Sequence, residues 1–504
     1  MGNRIHTIEE YISVFRDNEV LADFNIPEEY MAKNVGYISY NSMDVKPGTL
    51  FVCKGSHFKE EYLAAALKAG AFAYISEKEY LLGSGRPENI PFIRVTDIRK
   101  AMAYMANLYY NEVWKELCLI GITGTKGKST TTYFMRYILD DYLKSQKKAR
   151  SAIISGIETY DGVINEESHL TTPEALELHR HFNNAVRKGI EYLSMEVSSQ
   201  ALKYDRTLGV RFDAGCFLNI GHDHISAVEH TDFEDYLEAK LVLFKQCNVA
   251  VVNKDTEFAE RILGSARENA PKVITFSVKE PADLYGYDIV MGERETTFKV
   301  RSDSFDREFT IGMKGLFNVE NALAAISISY SLNIPLENIA RGLRHAEVPG
   351  RMEIFENKDK DITVIVDYAH NQMSFQSLFT SCLKEFPGKP ITIVFGCPGK
   401  KAVSRRKELG DIAGKYADYV IITEEDAGEE SVEKISQEIA SHVTAGGTAC
   451  EIIIDREKAI EKAIQSAPEH SVVLITGKGR ETRQKRGLDY IPTPSDVDIV
   501  KRFL

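Results

Sequence analysis

No apolar run in this chain reaches the roughly 18 residues that a membrane-spanning helix needs, so no span is expected. The first residues, Met1 to Glu10, lack the apolar segment of an export signal, and a cytoplasmic location is the expectation. Basic charge is not in excess. The 62 Lys and Arg stand against 74 Asp and Glu, a formal net charge of −12. Nucleic-acid binding depends on basic side chains neutralising phosphates, so nucleic acid is not expected as the main partner. The seven cysteines include no C-x-x-C pair. Their odd number and scatter point to free thiols in a reducing compartment, most of them acting as small core hydrophobes. There is no internal repeat and no low-complexity segment. What remains is a globular composition, 43% hydrophobic and 27% charged, over 504 residues, too long for one ordinary core.

The most informative segment is Gly121-Ile122-Thr123-Gly124-Thr125-Lys126-Gly127-Lys128-Ser129-Thr130. It follows the apolar run Leu117 to Ile120, which reads as a buried strand, and precedes Thr131 to Leu143, which reads as a helix. A glycine-rich turn at that junction aims backbone N–H groups at one spot, where the helix N-terminus adds partial positive charge. Lys128 adds a full charge, and the Ser129 hydroxyl is a ligand for Mg²⁺. The pattern departs from G-x-x-x-x-G-K-[ST], because Ile122 stands where the first glycine belongs, and fits a G-T-x-G-K-[ST] variant. It predicts a nucleoside triphosphate site.

Three parts are expected along the chain. Residues 1 to about 112 read as a small α/β module, with a helix near Tyr62 to Ala71 and strands at Thr49 to Cys53 and Ala73 to Ile75. Residues 113–346 form the nucleotide-binding part. After a turn-rich hinge at Val348-Pro349-Gly350-Arg351, residues 347–504 alternate strands and helices. The strands are expected at Ile362 to Val366, Ile391 to Phe395, Tyr419 to Thr423, Ile452 to Ile454 and Val472 to Thr476. That alternation predicts a parallel, doubly wound sheet with ligands at the carboxyl ends of its strands. Polar clusters follow those strands: Asp367-Tyr368-Ala369-His370, Gly399-Lys400-Lys401, Glu424-Glu425-Asp426 and Gly477-Lys478-Gly479-Arg480-Glu481.

Between the glycine loop and residue 240 lie further candidates. Glu196 ends the strand-like Tyr192 to Val197, where a second ligand for phosphate-bound Mg²⁺ is useful. An acid at a strand end is more often a solvated surface group, but the glycine loop reverses that balance. His224 follows another apolar strand. Histidine prefers softer metals, so chemistry alone does not make it a Mg²⁺ ligand. Lys240, on a predicted helix, reads as an ordinary surface lysine.

Seven motifs now stand in order: Gly124-Thr125-Lys126-Gly127-Lys128-Ser129, Met195-Glu196-Val197-Ser198-Ser199, Asp223-His224, Glu238-Ala239-Lys240, Asn318-Val319-Glu320-Asn321-Ala322, Pro349-Gly350-Arg351-Met352-Glu353 and Asp367-Tyr368-Ala369-His370. In this order they resemble the Mur ligases, and most closely the branch that extends a muramoyl dipeptide by one diamino acid. The resemblance runs from Asn41-Ser42 to Gln484. It implies an α/β, three-domain architecture: a UDP-sugar-binding N-terminal domain, a central P-loop ATPase-like domain and a C-terminal Rossmann-like domain.

The resemblance also implies roles. Gly124, Thr125, Lys126, Gly127, Lys128, Ser129 and Thr130 would hold the ATP phosphates, Asn318 and Arg351 match positions that touch the adenine and phosphates, and Asp367 matches the ribose-binding acid. Ser129 and Glu196 would ligand one Mg²⁺. Glu196, His224 and Lys240 would surround a second, with Lys240 carbamylated by CO₂ into a carboxylate-like ligand. Thr171, Thr172, Ser198 and Arg206 would hold the UDP-muramoyl dipeptide. Ser42 matches a uridine-site serine, although Asn41-Ser42-Met43 replaces the frequent Asp-Ser-Arg. Lys401, Glu425, Asp426 and Glu481 would form the acceptor site. Relatives that take meso-diaminopimelate commonly show Asp-Asn-Pro-Arg, whose arginine pairs with the distal carboxylate. Here Glu425-Asp426-Ala427-Gly428 lacks that arginine, and an acid-rich loop favours a cationic tip such as that of L-lysine or L-ornithine. Glu429 and Glu430 read as helix-capping or solvated acids.

The expected activity is therefore ATP-dependent addition of L-lysine to UDP-N-acetylmuramoyl-L-alanyl-D-glutamate through an acyl phosphate, by a monomer whose partners are these small molecules. A folylpolyglutamate synthetase-like ligase shares the ATP chemistry, but residues 1–112 argue against it. A nucleotide-driven switch does not suit the separate Asn318 and Asp367 motifs. Intact Lys128, Glu196, His224 and Lys240 argue against a non-catalytic binding protein.

Overall fold

Three sheets built around parallel strands, and a two-stranded antiparallel ribbon of Arg483–Arg486 with Asp489–Pro492, make up the described strands. The computed structural model describes residues 4–55, 58–80, 90–221, 229–292, 295–313, 315–357, 359–400 and 403–504. The first sheet has five strands in the order Leu21–Asn25, Phe92–Val95, Ala71–Ser76, Thr49–Val52, Tyr37–Ser39, with only the first pair antiparallel. Strand side chains alternate between faces, so Leu50 and Val52 pack under helices Ile8–Asp17 and Ile98–Tyr109, while Phe51 meets Leu63 and Ala66 of helix Glu60–Lys68. That last helix is shorter than expected. Gly70, at φ 111°, ends it, and Ala71 already opens the next strand.

The central sheet has eleven strands, spanning Cys118–Thr123 to Asp306–Ile311 in sequence. Its middle strands are parallel, and antiparallel strands extend both edges. Strand Cys118–Thr123 lies between Tyr192–Glu196 and Phe212–Phe217, so the chain reverses its direction of winding there. Such a switch point leaves a crevice at the strands' carboxyl ends. Gly124, Val197 and Leu218 all follow those ends directly.

The third sheet has six strands in the order Glu353–Asn357, Ile362–Asp367, Val472–Thr476, Ile391–Phe395, Tyr419–Ile422, Ala449–Ile452. Ile391, Ile393 and Phe395 join one core while Val394 joins another, so helices bury both faces. Two details differ from the sequence expectation. An antiparallel edge strand, Glu353–Asn357, is added. The strand expected at Ile452 to Ile454 is Ala449–Ile452, because Asp455 caps helix Arg456–Ser466 by accepting from Lys458 N and the chain turns early. No described helix is long and apolar enough to cross a membrane. Of the seven cysteines, all free, five are buried and Cys118 and Cys450 are half-buried.

Candidate active site

The loop Gly124 to Gly127 sits at the central switch point and opens helix Lys128–Ser145. Gly127 has φ 80°, and a Cβ there would lie 2.1 Å from Asn321 Oδ1, so only glycine fits. Asn219 staples the loop from the neighbouring strand end. Its Oδ1 accepts from Lys126 N at 2.8 Å, its Nδ2 donates to Lys126 O at 3.2 Å, and its carbonyl accepts from Thr125 N at 3.0 Å. Thr125 Oγ1 accepts from Gly221 N at 3.0 Å and lies 3.0 Å from Tyr236 Oη. The loop is thus fixed before any ligand arrives. Ser129 and Thr130, on the first turn of the helix, are both buried.

Two ammonium groups converge on this loop. Lys128 Nζ donates to Gly124 O at 2.9 Å and to Thr125 O at 3.2 Å. Lys240 Nζ donates to the same Gly124 O at 3.0 Å, with the Tyr236 ring 4.6 Å away. Lys240 is 1% exposed, so the ordinary surface reading is wrong. Helix Phe233–Lys245 buries Tyr236, Leu237, Lys240, Leu241 and Phe244, and Lys240 stands on its inward side. This places the Lys240 side chain against the glycine-rich loop rather than in solvent.

Glu196 is 2% exposed. Its Oε1 accepts from Gly156 N at 2.7 Å, and its carbonyl accepts from Thr172 Oγ1 at 2.9 Å. A Cβ placed on Gly156 would lie 3.5 Å from Thr171 Oγ1 and 3.6 Å from Glu196 Oε1, so this glycine borders the space between them. The Ser129 hydroxyl and the Glu196 carboxylate are hard oxygen donors of the kind Mg²⁺ takes. His224 lies outside the described residues. Among those described, no three His, Cys, Asp or Glu side chains form a ready metal cluster.

The C-terminal sheet reaches across to this loop. Arg351 Nη2 donates to Ser129 Oγ at 3.4 Å, and its guanidinium lies 4.7 Å from the centre of the Tyr368 ring. Asp367, at the carboxyl end of its strand, accepts from Met352 N at 2.9 Å and Ala369 N at 2.7 Å. Burial raises the Asp367 carboxyl above its ordinary range, with Arg351 pulling the other way. Asn318 is fully buried on helix Leu316–Ser331, facing the same region as Asn321.

The residues expected to hold the donor gather near the start of helix Ala175–Arg187. Thr172 Oγ1 accepts from Ser198 N at 3.0 Å, and Arg206 Nη1 donates to Thr172 O at 3.0 Å. Arg206 pairs with Glu174 at 2.9 Å, and Lys54 of the N-terminal sheet pairs with the same carboxylate at 2.5 Å. Tyr40 Oη donates to Glu177 at 2.6 Å. These contacts bring the turn that holds Ser42 toward Thr171 and Thr172. Met43 beside it is 93% exposed.

The loop at residues 424–430, expected to meet the acceptor, is less acidic than its residue count suggests. Glu424 pairs with Arg486, Asp426 with Lys478 at 3.0 Å, Glu429 with Lys400 at 2.7 Å, and Glu430 with Arg406 at 2.7 Å. Glu481 accepts from Tyr368 Oη at 2.6 Å and pairs with Lys478 at 2.5 Å. Glu425 differs from all of these. It is buried, its Oε2 has no hydrogen-bond partner, and burial pushes its carboxyl up to about 8. Lys401 lies outside the described residues. Sequence reasoning missed Tyr368 and Lys478, which position Glu481, and the buried Arg456, which ties Asp496 at 2.7 Å to the Glu424 and Thr476 carbonyls. The partners of Tyr368 and Arg456 are distant in sequence, so no spacing signals them; Lys478 stands three residues before Glu481, in a polar cluster the sequence singles out without assigning it this pairing.

Comparison with known proteins agrees with this geometry. Residues 122–329 match the Mur ligase middle domain, and residues 350–479 match the Mur ligase glutamate ligase domain. The UDP-N-acetylmuramyl-tripeptide synthetase of Lactobacillus acidophilus is 35% identical over 98% of this chain and 96% of its own length. The UDP-N-acetylmuramoyl-L-alanyl-D-glutamate–L-lysine ligase of Enterococcus faecalis is 37% identical over 94% of this chain and 92% of its own. A solved UDP-N-acetylmuramoyl-L-alanyl-D-glutamate–2,6-diaminopimelate ligase superposes with a TM-score of 0.65, at 25% identity, over 99% of each chain. With relatives above 30% identity along nearly its whole length, this chain belongs to the Mur ligase family.

Proposed function

We propose that the chain catalyses ATP-dependent addition of L-lysine to UDP-N-acetylmuramoyl-L-alanyl-D-glutamate, a step of peptidoglycan precursor synthesis in the cytoplasm. The observation that carries this reading is near-full-length similarity to enzymes named for that reaction, joined to an acceptor loop without the arginine that would suit a distal carboxylate.

A carboxylate is a poor electrophile at neutral pH. One of its oxygens attacks the γ-phosphorus of ATP, ADP leaves, and an acyl phosphate results. The amine of the incoming amino acid then attacks the acyl carbon, and phosphate leaves with that oxygen. Gly124 to Thr130 cradle the phosphates, and Lys128 turns from the loop carbonyls toward the transferring group. Asn318 and Arg351 meet the adenine and phosphates, and Asp367 the ribose. Mg²⁺, when bound by Ser129 and Glu196, would offset phosphate charge. A second ion would draw on Glu196, His224 and Lys240, and requires Lys240 as its carbamate, since an ammonium repels a cation. Thr171, Thr172, Ser198, Arg206 and Ser42 hold the donor, with residues 1–112 as the UDP-sugar-binding domain, 113–346 as the ATP domain and 347–504 as the acceptor domain. Glu481 receives the amine of the acceptor, with Asp426 sharing its partner Lys478, and Lys401 is the residue assigned to the acceptor carboxylate. The unpaired Glu425 oxygen receives the side-chain ammonium.

The test is ADP release, which should require the UDP-muramoyl dipeptide and a diamino acid together. ADP release with neither present contradicts a ligase.

A further inference from the structure

Glu481 is followed directly by Thr482 and by Arg483, which opens the two-stranded ribbon Arg483–Arg486 and Asp489–Pro492, and both side chains reach the edge of the central sheet. Thr482 Oγ1 donates to Glu167 Oε2 at 2.7 Å. Arg483 Nη2 donates to Ser168 O at 3.1 Å, and its Nη1 lies 2.6 Å from His169 Nδ1. A guanidinium can only donate, so His169 Nδ1 accepts. These partners lie just past the central sheet's edge strand Asn165–Glu167.

The segment they grip is tied to the donor side at both ends. Before it, Ser168 N donates to Ile157 O at 3.1 Å and Ser168 Oγ lies 2.8 Å from Thr159 Oγ1, while Gly156 N holds the Glu196 carboxylate. After it come Thr171 and Thr172, and Thr172 bonds both the Glu196 carbonyl and Ser198 N. One contact therefore joins the acceptor-side Glu481 to the segment that fixes Glu196 and the donor threonines.

We propose that Thr482 and Arg483 are positioning residues for ligation: they latch the C-terminal unit onto residues 167–169 and so set the distance between the incoming amine and the acyl phosphate. The latch rests on the reading of the chain as a ligase with its acceptor beside Glu481. Arginine is required, because its planar fork meets a carbonyl and an imidazole at once, which a lysine ammonium does with poorer geometry. Misplacing a reactant by about 1 Å costs on the order of 100-fold in rate.

Arg483→Ala and Thr482→Ala should lower kcat/KM for the acceptor about 10- to 100-fold while the KM for ATP and for the donor stay within about two-fold. Arg483→Lys should recover part of the loss, and the melting temperature should not move. Small-angle scattering supplies a readout independent of turnover: with ATP and donor the wild type should be more compact than Arg483→Ala. Wild-type kinetics in both alanine variants, or equal losses for all three substrates with a lowered melting temperature, would overturn the latch. A wild-type protein that makes no product yet compacts in an Arg483-dependent way would keep the latch and sink the ligase reading.

Discussion

The phosphate loop and the acceptor loop both gather charge at the carboxyl ends of parallel strands, but they hold it in opposite ways. At the phosphate loop, two lysine ammonium groups share one backbone carbonyl, that of Gly124, and the loop itself is stapled by Asn219. At the acceptor loop, Glu424, Asp426, Glu429 and Glu430 are each matched by a cation, and only Glu425 keeps a buried oxygen unpartnered. The lesson is that acid count is not site charge. A loop with five acids presents one carboxyl that differs from the rest in burial and pairing.

Three substitutions sharpen that contrast. The largest effect is expected at the phosphate loop. Lys240→Ala should cut turnover by about 1,000-fold or more, as loss of a group at the centre of charge development does. Short carboxylic acids should restore part of the rate by standing in for a carbamate, and phosphate release with and without added acetate measures both. Full activity without rescue would remove Lys240 from the chemistry.

Glu425→Gln should come next, raising the KM for L-lysine by about 10- to 100-fold, since an amide cannot give up a proton to become the carboxylate that an incoming ammonium stabilises. The same variant has a pH signature. The Glu425 carboxyl is raised from 4.5 to about 8, so the folded chain holds its proton where the unfolded chain has released it. Wild-type stability from this group is complete below pH 4.5 and falls as pH rises toward 8. Glu425→Gln lacks that loss, so its advantage in urea denaturation should grow between those values and level off above them. Parallel curves for the two proteins would show that burial does not shift this group.

Glu429→Gln should have the smallest effect. Its pair with Lys400 is exposed on both sides, at 53% and 67%, and such solvent-screened pairs contribute little. Lysine KM should change less than about two-fold. An effect as large as that of Glu425→Gln would mean the acids act as a field rather than through one carboxylate.

The same contrast explains what was legible in the sequence. The phosphate loop is contiguous, and its function follows from backbone N–H groups, two glycines and one lysine, so ten residues announce it. The alternating runs Ile391 to Phe395 and Val472 to Thr476 announce the parallel C-terminal sheet for the same local reason. The burial of Lys240 was not legible, because its helix is buried on more than one side and its own sequence does not distinguish an inward lysine from a snorkelling one. Nor was the pairing of the acceptor acids, whose cations Arg486, Lys478 and Arg406 lie in other segments. The grip of Arg483 on Ser168 crosses 315 residues and leaves no pattern in either segment.

The account's central claim is that Glu425 selects a cationic side-chain tip. The most direct measurement is the mass of the product formed from ATP, Mg²⁺ and UDP-N-acetylmuramoyl-L-alanyl-D-glutamate with L-lysine, L-ornithine or meso-diaminopimelate supplied in turn. A product heavier by one lysine residue, with none from diaminopimelate, is the predicted result. Preferential incorporation of diaminopimelate would contradict it, keeping the ligase and overturning the role assigned to Glu425.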